Sequence, residues 1–356
     1  MALRARAHVD PAALAANAAT LRAALAPQTR LCAVVKADGY GHGAARAAAH
    51  ADADWLAVAT ALEAAGLRAA GLAGTRILVM GALSPAEREI ALTARADLVA
   101  WEPAFLDGLP PHARVHVKLD SGMGRLGTRS PEQATAVAEA LAARGQLAGL
   151  MTHFATADVA GDRFFDEQLA RFTTWALPLR ERFPGTLVHA ANSAATFREP
   201  AAHFDMVRAG VALYGLDPAN ADPDRLGLRP ALRLTSYVAA VKACAIGESA
   251  GYGRRFVAAR DTVVATVPIG YGDGWRRGLT NNADVIVRGT RFPLVGTVSM
   301  DNITVDLGPG ATSVQPGDEV TLIGDGITAE EVAGRLGTLN YEVTCGLTAR
   351  VTRTGR

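Results

Sequence analysis

The sequence predicts an α/β fold in two parts, an N-terminal (β/α)8 TIM barrel over residues 1–230 and a mostly β domain over 231–356. Three observations carry this. Short apolar runs alternate with helical stretches eight times in about 220 residues, the count and size of such a barrel. No G-x-G-x-x-G follows the first run, which places a doubly wound open sheet second. Past Leu228-Arg229-Pro230 the texture changes to β-branched runs separated by turn signals.

The elements follow in order. Asp10-Pro11 starts a helix with Leu14, Ala18, Leu21 and Leu25 on one face. Strands are predicted at 31–35, 55–59, 76–80, 97–101, 114–119, 147–152, 187–191 and 206–213. Ser84-Pro85-Ala86-Glu87 and Ser130-Pro131-Glu132-Gln133 read as capping boxes with proline at the first helical position. In the second domain, turns fall at Gly247, 270–274, Asn281-Asn282 and Arg288-Gly289-Thr290. Strands are expected at 284–287 and 297–307, and a helix at 328–336.

At 356 residues the chain exceeds one ordinary core, and 49% apolar content suffices for two. Lys plus Arg at 36 against Asp plus Glu at 35 gives a net charge of +1, so no global field favours nucleic acid or an anionic membrane. The first residues lack the apolar stretch of a signal peptide, and no run of ~18 apolar residues would span a bilayer. A cytoplasmic protein is expected. Cys32, Cys244 and Cys345 are odd in number, far apart and without C-x-x-C spacing. Reduced, buried thiols are expected, with neither a disulfide framework nor a metal site.

Barrel chemistry collects at the C-terminal ends of the strands. The first strand ends in Lys36, followed by Gly39, Tyr40, Gly41, His42 and Gly43. A lysine at a strand mouth loses hydration, which lowers its pKa. A neutral amine can form a Schiff base with a carbonyl substrate or with pyridoxal phosphate. A surface lysine before a glycine-rich turn would look the same. The fifth strand leads to 120–127 with Arg125, the sixth to His153, the seventh to Asn192-Ser193, and the eighth carries Arg208, Gly210 and Val211. Each alone has a bland reading as a core histidine or a paired surface arginine. Their shared end argues for one site. Loops after the last two strands often bind phosphate, and Tyr40 adds a phenol within reach of one. A lysine facing a phosphate cradle suits pyridoxal 5′-phosphate.

Together these residues resemble the alanine racemase family. The resemblance rests on A-V-V-K-A-D-G-Y-G-H-G at 33–43, K-L-D-S-G-M-G-R-L-G at 118–127, T-H-F-A at 152–155, A-N-S-A-A at 191–195 and V-R-A-G at 207–210. It continues with G-Y-G at 251–253, I-G-Y-G-D-G-W at 269–275, S-M-D at 299–301 and N-Y-E at 340–342. The resemblance implies a cytoplasmic isomerase that interconverts L- and D-alanine and supplies D-alanine for peptidoglycan. It implies a head-to-tail homodimer with shared active sites. Lys36 would carry the cofactor and serve one face of the substrate. Tyr252, from the partner subunit, would serve the other. Tyr40, Asn192, Ser193, Gly210, Val211 and Tyr341 would hold the cofactor at or near its phosphate. Arg208 would face the pyridine nitrogen with His153 beside it. Arg125, Met300, Asp301 and Tyr271 would surround the substrate, and Lys118 is a candidate for carbamylation. From its neighbours alone, Tyr252 would read as a turn tyrosine between Gly251 and Gly253.

Two bases suit a reaction that removes a proton from one face and returns it on the other. A phenol with an ordinary pKa of about 10 needs help, and the His153–Arg208 pair is the expected source of cationic stabilisation. Rival readings are a racemase of broader specificity, a decarboxylase on the same plan, and a non-catalytic carrier of pyridoxal phosphate. Carriers of this type lack the β domain, and with it Tyr252 and Met300. Tyr271 and Tyr341 would narrow the site toward a small side chain.

Overall fold

The structure, a computed structural model, describes residues 4–310 and 313–355. The chain forms two compact units. One contains Leu14–Leu213 and Leu226–Leu228; the other takes the N-terminal stretch through Ala13, Tyr214–Arg225 and Arg229–Arg356.

The first strand, β1 (Arg6–Val9), belongs to the second of these units. The eight that follow build the first: β2 (Arg30–Val34), β3 (Trp55–Val58), β4 (Arg76–Val79), β5 (Leu98–Ala100), β6 (Val115–Lys118), β7 (Leu147–Met151), β8 (Leu187–His189) and β9 (Met206–Ala209). All pair in parallel, in two runs ordered β4-β3-β2-β9 and β5-β6-β7-β8. The runs join where Asp97 N–H donates to Ile77 O (2.7 Å) and where Arg208 N–H donates to Ala191 O (2.9 Å). The ring therefore closes, and the open-sheet alternative is excluded. Each strand matches a predicted one within a few residues.

Side chains alternate in and out of the ring. The inward set is Cys32, Val34, Trp55, Ala57, Leu78, Val99, Met151, Leu187 and Met206. His116, Lys118, His189 and Arg208 share that alternation on β6, β8 and β9, and all four are buried. An apolar interior thus gives way to charge along one side.

The helices form where their caps predict. Asp10 Oδ1 accepts from Ala12 N–H at the start of Pro11–Ala23 (2.8 Å). Ser84 and Glu87 make the reciprocal box before Pro85–Thr93. The box expected at Ser130 is only half formed. Ser130 Oγ accepts from Gln133 N–H, but the Gln133 amide donates to Trp101 O (2.9 Å). A tertiary acceptor outcompetes the local one.

In the second unit one sheet runs β11-β14-β17-β16-β15-β18-β10-β1-β19, with β10 (Leu232–Tyr237), β11 (Ala240–Cys244), β14 (Thr262–Val267), β15 (Asp284–Val287), β16 (Thr290–Val295), β17 (Ile303–Gly308), β18 (Glu319–Ile323) and β19 (Thr352–Thr354). A small pair, β12 (Ser249–Ala250) and β13 (Phe256–Val257), carries the turn at Tyr252. Strand β1 lies antiparallel to β10 and parallel to β19. Four residues are too few for periodicity to reveal it. The strand expected at 297–307 shortens to β17, because Ser299 and Asn302 close a turn on each other (Ser299 N–H to Asn302 O, 3.0 Å). Helix Ala329–Leu336 matches its prediction, and a short helix, Asn340–Cys345, follows it unpredicted.

Cys32 and Cys244 are buried as expected, but Cys345 is exposed. Burial pushes the Cys32 thiol up to about 12, so it stays protonated. Among the described residues no helix is long and apolar enough to cross a membrane.

Candidate active site

Lys36 opens the segment Lys36–Tyr40, whose backbone turns the wrong way. Ala37, Asp38, Gly39 and Tyr40 have φ of 52°, 51°, 62° and 52°. A non-glycine residue in this left-handed region costs roughly 1–2 kcal/mol. Such strain persists only where neighbours over-determine it. Here they do. The Glu63 carboxylate accepts from Ala37 N–H (2.7 Å) and Ala59 N–H (2.8 Å). Asp38 Oδ1 accepts from Ala44 N–H (2.9 Å). The buried His42 lies with Nδ1 at 2.9 Å from Tyr40 O and 3.1 Å from Gly39 O; as both are carbonyls, Nδ1 donates. Gly39 has no alternative, since a Cβ there would sit 3.2 Å from the Ala44 backbone. Sequence reasoning missed Glu63, although Thr60-x-x-Glu63 is a capping-box spacing and the box forms.

Arg208 is the most enclosed charge at the same mouth. Its Nη2 donates to Thr152 O (2.8 Å) and Ala190 O (3.0 Å) and lies 3.3 Å from His153 Nδ1. Its Nη1 lies 2.8 Å from His189 Nδ1. Arginine has only donors, so His189 Nδ1 must accept and the proton sits on Nε2. That nitrogen meets His116 Nδ1 at 2.8 Å, and His116 Nε2 meets Asp97 Oδ2 at 3.3 Å. One choice of tautomers satisfies every link, and the chain runs from Arg208 to a carboxylate. Arg76 and Arg114 close its far end on Asp97. None of His189, His116 and Asp97 was singled out from sequence. The available signal was a histidine at an inward position of two buried strands.

The electrostatics agree with those tautomers. Burial, followed by the charge of Arg208, holds His189 and His153 well below the usual imidazole range. Burial also lowers His116, against the pull of Asp97. Burial would raise Asp97, but the bond from His116 and the charge of Arg76 hold it below the ordinary value. Burial brings Arg208 down to about 10, so it keeps its proton at neutral pH. Of the expected His153–Arg208 pair, Arg208 carries the positive charge and His153 stays neutral beside it.

The remaining mouth residues cluster as predicted or take other duties. Ser193 Oγ accepts from Gly210 N–H (2.9 Å) and Ala212 N–H (3.3 Å), joining the seventh and eighth loops at the start of Val211–Tyr214. A Cβ on Gly210 would fall 2.5 Å from the Tyr40 hydroxyl, so backbone and phenol converge there. Asn192 caps helix Ser193–Arg198, its Oδ1 accepting from Ala195 N–H (3.0 Å). Lys118 is buried, and burial, helped by Arg208 and Arg125, lowers it to about 8. Arg125 is exposed on a loop that Asp120 ties down through Gly122 N–H (3.1 Å) and Gly124 N–H (3.0 Å). A lysine, a phenol–hydroxyl–amide cluster and a donor-only arginine at one barrel mouth fit pyridoxal 5′-phosphate. They could supply an amine for its aldehyde, donors for its phosphate and a partner for its ring nitrogen.

The second unit carries the other predicted residues. Tyr252 is 76% exposed, Met300 52% and Tyr271 42%. The Met300 and Tyr271 turns are bonded together, Gly272 N–H to Met300 O (2.9 Å) and Tyr271 N–H to Ser299 O (3.0 Å). Thr297 Oγ1 donates to Tyr252 O (2.7 Å). Tyr341 is half-buried on helix Asn340–Cys345. Asp301 is engaged by Arg350 (2.6 Å), part of a network with Arg4 and Asp273, so its carboxylate holds this loop.

Two family profiles match the chain: "Alanine racemase, N-terminal domain" over residues 9–218 and "Alanine racemase, C-terminal domain" over 231–355. Alanine racemase of Symbiobacterium thermophilum is 41% identical, covering 98% of this chain and 96% of its own length. That of Cutibacterium acnes is 40% identical over 97% and 96%. Among solved structures, the alanine racemase of D-cycloserine-producing Streptomyces lavendulae superposes with a TM-score of 0.92 at 36% identity, covering 99% of this chain and 97% of its own. The biosynthetic alanine racemase of Pseudomonas aeruginosa gives 0.89 at 39% identity, covering 99% of each chain.

The Arg208-to-Asp97 chain has a direct test. Gly149 of β7 leaves His116 its place, since a Cβ there would lie 2.1 Å from His116 Nδ1. Gly149→Ala should displace that ring and cost roughly 1–3 kcal/mol in urea unfolding. Gly66→Ala, in open space on helix Ala61–Ala69, should be neutral or gain about 0.5–1 kcal/mol. Equal effects of the two substitutions would remove the structural role assigned to His116.

Proposed function

The chain belongs to the alanine racemase family, and we propose that it interconverts L- and D-alanine by a two-base mechanism, with Lys36 on one face of the substrate and Tyr252 of a partner subunit on the other. The observation that carries the assignment is Lys36 on a strained and stapled loop at the same barrel mouth as the buried Arg208. Pyridoxal 5′-phosphate, held by Lys36, supplies the electron sink that makes an amino acid's α-proton acidic.

The residues then divide the work. Tyr40 and Ser193 would offer hydroxyl donors and Val211 an amide donor to the phosphate, Gly210 would leave room for the Tyr40 hydroxyl there, and Tyr341 is assigned to the same group. Asn192 keeps the Ser193 helix start in place. Arg208 would donate to the ring nitrogen and would keep its proton there, because its pKa of about 10 stays above neutral and its Nη2 donors are taken by Thr152 O and Ala190 O. Lys36 takes or returns the α-proton on its face. Tyr252 does so on the opposite face. His153 assists it as a neutral donor: Nδ1 accepts from Arg208, so Nε2 carries a proton to stabilise a phenolate oxygen. The positive charge behind that bond is that of Arg208. Arg125 and the Met300 N–H grip the substrate carboxylate, with Asp301 keeping the Met300 turn in shape. Tyr271 and Tyr341 limit the side chain to a methyl group.

A head-to-tail homodimer accounts for the exposure of Tyr252, Met300 and Tyr271. A phenol 76% in water is a poor proton carrier, and large side chains on one face of a β unit call for a cover. The carrier reading is not favoured, because the chain has the full second unit. The reading includes D-alanine supply for peptidoglycan in the cytoplasm, supported by the bacterial sources of its relatives.

Lys118 is the candidate carbamate. It is buried, and no carboxylate is bonded to it among the described residues, while Arg208 and Arg125 add positive charge. Reaction of its neutral amine with CO2 forms an N–C bond, releases one proton and replaces a cation by an anion facing Arg125. The folded pKa of about 8 lies below the ordinary 10.5. The unmodified lysine therefore destabilises the fold in full below pH 8, and the cost is relieved as pH rises from 8 toward 10.5.

Holoenzyme with L-alanine in D2O should yield D-alanine carrying α-deuterium. Exchange without D-alanine would remove Tyr252's role, and turnover of larger amino acids at equal rate would favour the broader racemase. Lys36→Ala and Tyr252→Phe chains, each inactive, should regain activity on subunit exchange, since a mixed dimer holds one intact site. No recovery after proven exchange would place both bases in one chain. At fixed pressure of 13C-labelled CO2, a carbamate NMR signal should grow as pH passes about 8 and be missing in Lys118→Arg; a signal of equal size in that variant would rule Lys118 out.

A further inference from the structure

A second set of charges collects at the other end of the barrel. A cleft of about 330 Å3 is lined by Arg68, Arg76, Arg95, His112 and Arg114, with Thr75 between them. Arg76 opens β4, Arg95 follows helix Pro85–Thr93 ahead of β5, and Arg114 precedes β6. All three therefore stand at N-terminal strand ends, away from the loops of Lys36 and Arg208.

No carboxylate lines this cleft. Asp97 lies buried behind it and is already taken by Arg76, Arg114 and His116. Four guanidiniums around one carboxylate leave a surplus of positive charge. After burial, the charges of Arg95 and Arg114 are what depress Arg68, which places all three close together. Arg68 is fixed, its donors on Ala94 O (2.8 Å), Thr75 O (2.8 Å) and Leu72 O. The Arg76 guanidinium carbon lies over the Trp55 ring at 4.0 Å from its centroid, and its Nε is buried without a partner. Arg95 makes no side-chain hydrogen bond or ion pair among the described residues, and its backbone holds φ 52°, past a helix end where glycine is favoured. Arg95 is exposed at the rim, so its donors face solvent and are free to meet an anion there.

Guanidinium forks match phosphate oxygens two at a time. We propose that this cleft is a binding site for a phosphate-bearing anion, separate from the Tyr40–Ser193–Gly210 cluster. Arg95 closes on the anion from the rim, while Arg68 and Arg114 supply a pre-formed floor.

The test is titration calorimetry of cofactor-saturated holoenzyme at constant ionic strength, with inorganic phosphate and with pyrophosphate. Saturable binding is expected, weakened about tenfold in Arg95→Gly, the loss that one charge-assisted contact implies. Glycine suits φ 52°, so that variant should keep or raise its melting temperature and unfolding cannot explain the loss. Tighter binding of pyrophosphate would identify a polyphosphate source, and equal binding a single phosphate group. No saturable binding of either anion, or affinity unchanged in Arg95→Gly, overturns the proposal.

Discussion

A positive charge buried inside a closed barrel is the constraint around which the first unit is arranged. Stripping an ion of water costs several kcal/mol even after relaxation, and Arg208 is almost wholly enclosed. The fold answers with two carbonyls, two imidazoles and, at the end of the chain, a carboxylate. Because arginine only donates, it sets the tautomer of each histidine behind it. Because both histidines are buried next to a cation, they stay neutral and pass polarity rather than charge. Asp97 then needs its own counter-ions, and Arg76 and Arg114 meet it from the foot of the barrel. The packing of Trp55 and the glycine at 149 follow from the same chain, the first lying edge-on to His116 with Arg76 over its face, the second making room for that ring.

The lysine loop obeys a different logic. Its left-handed turn is unfavourable at Ala37, Asp38 and Tyr40, and although Tyr40 packs against the barrel's apolar core, the amides of the turn still need acceptors. Side chains remote in sequence, Glu63 above all, satisfy the amides that the turn exposes. Strain here fixes the direction in which the chain leaves β2, and hence where an amine at its end can stand.

The second unit presents side chains rather than enclosing them. Its sheet is apolar on one face, as in β17, where Ile303, Val305 and Leu307 alternate with half-buried neighbours. The turns at Tyr252, Tyr271 and Met300 are held rigidly from beneath by Thr297, Ser299 and the Asp301–Arg350–Arg4 network while their side chains face water. Held backbone under exposed side chains is what the proposed pairing of two subunits would use.

Much of this was legible in the chain itself. Alternating runs and caps located eight parallel strands and their helices, because burial on both faces leaves a continuous apolar run and each helix start needs an acceptor for its free amides. The strand ends placed Lys36, Ser193 and Arg208 at one mouth, whereas Tyr252 stood out only through the family resemblance, because its own neighbours read as a turn. Strand β1 stayed hidden, since pairing with β10 and β19 is decided more than 200 positions away. Gln133 left its predicted partner for Trp101, and burial beside Arg208 lowered His153 below the usual imidazole range, for the same reason. Local sequence determined which segments form and which groups they carry. Burial, tautomer and charge state were settled only by tertiary structure, because each depends on the dielectric and on neighbours that several distant strands bring together.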